Sequence, residues 1–111
     1  MFQGGYIMNK YYAVIFISKR SEQDLEGYTR MADRMEELAK LQPGFINVES
    51  SRDSEGHGIT VSYWESLEAI QKWKENSKHK AAQQRGKDTW YSNYHVQICE
   101  VIREYSFNES E

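Results

Sequence analysis

The chain has 111 residues, enough for one domain with a modest core, so association with a second copy would add buried surface that one chain lacks. A formal charge of −3 excludes a general nucleic-acid binder, which needs basic patches to neutralise phosphates. The single cysteine, Cys99, excludes an internal disulfide; with no signal-peptide pattern and no apolar run near the ~20 residues that span a bilayer, the expectation is a cytoplasmic protein with no membrane partner.

Residues 1–10 read as an N-terminal extension, 11–106 as the domain and 107–111 as a tail. Residues 11–17 are β-branched and aromatic, a strand with both faces buried. Ser21 is read as the N-cap of a first helix, with Glu22 and Asp24 in the first turn. Leu25, Tyr28, Met31, Met35 and Leu38 then recur every three or four residues on an inward face, until Pro43 and Gly44 end the helix. Residues 45–51 and 59–64 are two strands of a hairpin, joined by a turn-rich stretch over 52–58.

Ser66 caps a second helix with Leu67, Ile70 and Trp73 on its inner side. Asn76 and Ser77 are expected to interrupt it. Ser77 then starts a further helix on which His79, Ala82, Gln83, Gly86 and Trp90 share one face. Residues 91–105 form the last strand. If continuous, it would run roughly 50 Å at ~3.3 Å per residue, against a radius of gyration near ~13 Å for a domain this size. It must bend or reach a neighbour. The order β-α-β-β-α-β is the ferredoxin-like arrangement, an α+β fold with an antiparallel sheet and helices on one face. The first and last strands are apolar on both parities, so the second face predicts a homodimer packed sheet to sheet.

Several chemistries have no motif. No glycine-rich phosphate loop is present, three scattered histidines and one cysteine lack zinc-type spacing, and Cys99 sits mid-strand. Trp73 reads either as a ligand-stacking wall or as core, and Trp64, at a strand end, as packing. His79 is the best general base, its ring titrating near neutrality, or else a locally bonded helix histidine. His57 is a solvated turn residue, and His95 falls on either face of the last strand. Trp90, Tyr91 and Tyr94 close one end of a pocket or join an interface. The basic run Lys72, Lys74, Lys78, Lys80, Arg85 and Lys87 reads as a solvated face, or else as a surface for an anionic ligand or nucleic acid.

The run Trp64-Glu65-Ser66-x-Glu68-Ala69-x-x-x-Trp73-Lys74, with His79-Lys80-Ala81-Ala82-Gln83 downstream and Leu41-x-Pro43-Gly44-Phe45 upstream, resembles the antibiotic biosynthesis monooxygenase family over about residues 11–105. The resemblance implies a dimeric α+β barrel and a cofactor-independent, oxygen-using enzyme that oxidises a phenolic or polycyclic aromatic molecule. His79 would be the catalytic proton acceptor, with Trp73, Trp64, Gln83 and Trp90 around the substrate and no metal. The family also holds haem-degrading members, which use an asparagine on the first strand, a tryptophan on the second helix and a haem-ligating histidine ten residues later. Trp73 matches the tryptophan, but Gln83 stands where the histidine would be and residues 11–17 hold no asparagine. Haem is therefore disfavoured, leaving a shifted ligand at His79 as its one route. A non-enzymatic ligand-binding or structural dimer is the third reading.

Overall fold

The computed structural model describes residues 3–5, 10–83 and 90–109, with side chains over 10–77 and 90–109. The elements are β1 (Gln3–Gly5), β2 (Tyr11–Arg20), α1 (Leu25–Lys40), β3 (Phe45–Arg52), β4 (His57–Trp64), α2 (Leu67–Gln83), β5 (Tyr91–Val101) and β6 (Glu104–Ser106). Four strands form one antiparallel sheet in the order β3-β4-β2-β5, while β1 and β6 form a separate two-stranded ribbon. This is the expected ferredoxin-like α+β fold, and the sheet of one chain is open rather than closed into a barrel.

Alternation along the strands sorts the two faces. Trp64 packs under the helices with Ala39, Ala69 and Ile70, and Tyr12, Val14, Phe45 and Trp73 close around them. Tyr12 pairs with Trp64 on one side and Glu100 on the other, so the even-numbered residues of β2, β4 and β5 face the helices. The odd-numbered residues point away, except at the start of β5, where a register shift between Lys19 and Arg20 sets Tyr91 opposite Arg20 and turns it toward the helices. α1 rests on β3 and α2 on β4. Two helices thus cover the β3 side of the sheet, and among the described residues Tyr94, Val96 and Ile98 of the edge strand β5 stay exposed on the helix-facing surface.

Local chemistry explains where the chain departs from expectation. The cap of α1 is Asp24, not Ser21: the Ser21 N–H is held by the Trp90 carbonyl at 2.7 Å, which keeps it on the sheet edge. Asp24 takes a left-handed conformation (φ 49°), and its carboxylate accepts the Gly27 N–H at 3.2 Å. That satisfies one of the helix's orphan donors. Leu25 and Leu67, expected inside, begin their helices and remain exposed. Ser66 does cap α2, accepting the Ala69 N–H at 3.0 Å.

The break expected at Asn76 and Ser77 does not occur. The Ser77 hydroxyl donates to the Lys74 carbonyl at 3.1 Å, so it bonds back into its own helix, and α2 continues to Gln83. The expected shared face running on through Gly86 lies outside the described residues. The last strand resolves its length problem by breaking. β5 leaves the ladder after Val101, and β6 resumes at Glu104 on a different partner, β1. Gly44 closes the turn into β3 at φ 85°, where a Cβ would stand 2.7 Å from that of Ala69. Only glycine lets this turn touch α2 so closely.

Candidate functional site

The site is built on the helix-facing side of the sheet, where aromatic residues continue the core into open space. Trp64 is completely buried, and its indole N–H donates to the Ser62 hydroxyl at 2.9 Å. Phe45 meets it edge-on at 5.5 Å. Trp73 lies on it from α2, rings 6.0 Å apart and inclined by 23°, and stays half-buried. Trp64 is therefore the backing on which Trp73 is held. Trp73 thus packs against Trp64, and its partial burial leaves some of its surface exposed.

Beside this stack, β2 and β5 form an apolar floor. Phe16 stacks on Tyr94 at 5.5 Å and 18°, and pairs across the ladder with Val96. Val14 pairs with Ile98. Tyr94, Val96 and Ile98 remain 45%, 43% and 51% exposed on the face that normally packs against helices. An exposed apolar surface next to a half-buried tryptophan is the arrangement that takes up a flat hydrophobic ligand.

His79 and Gln83 belong to the last turns of α2, and their side chains lie outside the described residues. Trp90 is 2% exposed, and its indole nitrogen has no hydrogen-bond partner among the described residues. It is followed by Tyr91, which meets Phe16 at 5.4 Å and Tyr28 at 5.8 Å, both edge-on. Tyr91 and Tyr94 meet at 6.1 Å, and Tyr91 links Phe16 on the sheet to Tyr28 on α1. His95 pairs with Ile17 on the face turned away from the helices, so it is not part of this site.

Two features had no clear sign in the sequence. The first is a polar corner around Tyr28, which reads there only as one more apolar position of α1. The Arg52 and Arg20 guanidiniums stand 5.3 and 5.6 Å from the centre of its ring. Burial pushes the Tyr91 hydroxyl well above the usual tyrosine range, and the charge and hydrogen bond of neighbouring Tyr28 push the same way, against the opposing pull of Arg52. Tyr91 stays a neutral donor at any physiological pH. The second is the trio Asp53, Glu55 and His57, whose ligand atoms lie within 4.8 Å of one another on the surface. Asp53 Oδ1 already accepts the Glu55 and His57 N–H groups at 2.9 and 2.8 Å, so the trio is the lock of a tight hairpin turn.

Among the described residues no helix is long and apolar enough to cross a membrane. Residues 10–85 match the family model described as antibiotic biosynthesis monooxygenase. An uncharacterised Bacillus subtilis protein, YqjZ, is 49% identical over 100 residues, 90% of this chain and 87% of that one. A jasmonate monooxygenase of Pyricularia oryzae is 28% identical over 101 residues, 88% of this chain but 46% of that longer protein. The cofactor-independent oxygenase SnoaB of Streptomyces nogalater superposes with a TM-score of 0.61 over 81% of this chain and 90% of its own, at 12% identity. Fold, family model and relatives agree: the chain belongs to the antibiotic biosynthesis monooxygenase family.

Proposed function

We propose that the protein is a homodimeric monooxygenase that oxidises a phenolic or polycyclic aromatic molecule with dioxygen and without a bound cofactor. The observation that carries this reading is the open apolar floor of Phe16, Tyr94, Val96 and Ile98 beside Trp73. A family that includes monooxygenases supports the chemistry.

The protein's part would be modest and specific. Trp73 and the floor would sandwich the ring, since offset stacking favours flat partners. His79 would take the phenolic proton, and the electron-rich phenolate would then react with dioxygen directly. One oxygen atom enters the ring in place of hydrogen and the other leaves as water, so a phenol and dioxygen give a quinone and water. An apolar floor keeps water from the anion and strengthens its interactions with the site.

The dimer belongs to the same reading. The sheet face turned away from the helices carries Ile15 and Val61 half-buried, with Ile17 and Ile59 paired across the ladder and exposed. A second sheet laid on this stripe would cover it and close the barrel.

An oxygen electrode tests the chemistry. Purified protein, stripped of metal by chelation and given a tricyclic phenol, should consume one dioxygen per quinone formed. His79→Ala should slow turnover by ~100-fold or more, and Trp73→Ala should raise KM. Absence of phenol-dependent oxygen uptake, or uptake that appears only after haem or flavin is added, would refute the proposal.

A further inference from the structure

A cavity of ≈ 280 Å³ opens between α1 and the β3–β4 hairpin, lined by none of the three tryptophans, with Arg20, Tyr28, Asp33, Ser51, Arg52 and Thr60 in its wall. Arg52 is held there with unusual completeness. It donates from Nη1 to the Gly56 carbonyl and from Nη2 to the Ser18 hydroxyl at 2.8 Å, and Ser18 is itself buried. Tyr28 offers its ring face. Gly58 supplies the bed: a Cβ at that position would stand 2.5 Å from the Arg52 Cζ, so the guanidinium rests directly on bare strand backbone.

Each of these partners is neutral. Among the described residues neither Arg52 nor Arg20 has a carboxylate oxygen within 4.0 Å, and Asp33, the acid in the wall, pairs with neither. Of the five N–H donors of Arg52, three remain. A guanidinium fixed in orientation, half removed from water and lacking a counter-ion is prepared for an anion.

We propose that this cavity binds the carboxylate of a small organic acid, with Arg52 as its bidentate clamp and Arg20 as the second positive charge. Two arginines against one aspartate leave a single net positive charge, which matches a monoanion rather than a phosphate dianion. A planar carboxylate fits the planar fork. The volume corresponds to roughly nine waters at ~30 Å³ each, ample room for a single-ring acid. The Thr29, Ser50 and Thr60 hydroxyls can serve the rest of the molecule. No residue of the aromatic floor lines this cavity, although Tyr91 joins Phe16 to Tyr28, and the proposal stands whether or not the protein is an oxygenase.

The test is a titration of the full chain with benzoate, followed by amide NMR and calorimetry, with benzyl alcohol and inorganic phosphate alongside. Benzoate should bind and shift the Arg52, Gly58 and Thr60 amides, weaken as salt rises, and outcompete both controls. Arg52→Met should weaken it at least ~10-fold. Gly58→Ala keeps both positive charges but displaces the guanidinium, and it should weaken binding too. Arg52→Lys, which keeps charge without the fork, serves if the Met variant does not fold. No benzoate binding at ~10 mM would overturn the proposal, as would equal binding of benzyl alcohol, tighter binding of phosphate, or wild-type affinity in the arginine and glycine variants.

Discussion

Trp64 and Trp90 are both almost fully buried, but only one indole N–H is answered. Ser62 satisfies Trp64, whereas Trp90 Nε1 has no partner among the described residues. The first had a readable origin, because a serine two residues earlier on a strand shares its face. The second depends on which groups surround residue 90 after folding, and no local pattern carries that. The same limit hid Arg52, whose place is set by Ser18, Gly56 and Gly58, the first of them 34 residues away. Asp53 is the simpler case, since its partners are its neighbours. N–H bonds from His57 first, and from Glu55, hold its carboxyl below the usual carboxylate range. A lowered value means that the ionised form favours the folded turn. The contribution is therefore present above the unfolded carboxyl's ordinary value and disappears as pH falls through the lower folded one. NMR titration should show the Glu55 and His57 amides moving together with a midpoint below ~3.9. Asp53→Asn should abolish that step, and a midpoint at or above the ordinary value would refute the assignment.

At the scale of elements the order and sheet topology were legible, because period-two and period-3.6 patterns each persist over whole strands and helices. The termini were less so. Ser21 outranks Asp24 as a cap on position alone, yet a long-range bond to the Trp90 carbonyl occupies Ser21 and moves the helix start by three residues. Asn76 and Ser77 are poor helix formers, but α2 is anchored by Ile70 and Trp73 in the core, and packing overrides propensity. The candidate site divides in the same way. Trp73 was visible from helical spacing. The exposed floor on β5 was not, because it results from the helices covering the other side of the sheet.

The whole chain is a two-layer slab whose shortest dimension is 21 Å, one layer of helices on one of strands. A slab of this kind has a bare side, and here that side has a central apolar stripe rather than a polar coat. Ile17 and Ile59 sit opposite each other in the middle of it. Light scattering at micromolar concentration should report twice the chain mass. Ile17→Glu should return the single-chain mass while leaving the far-ultraviolet spectrum unchanged, since the residue supports no intrachain core. A wild-type monomer would rule out the dimer.

The small ribbon of β1 and β6 has a topological consequence. Gln3 lies opposite Ser106 and Gly5 opposite Glu104, so the two strands run antiparallel with their outer ends together. Joining Ser106 to Gln3 through a short glycine–serine linker would make an ordinary hairpin, and the polypeptide would become a closed loop. It could then be reopened between Glu22 and Gln23, both exposed, at the cost of the weak 3.3 Å bond from the Gln23 N–H to Ser21. Such a circular permutant should keep the four-stranded sheet and melt as one cooperative unit. Loss of cooperative melting would mean that the order of synthesis, and not the finished set of contacts, holds this sheet together.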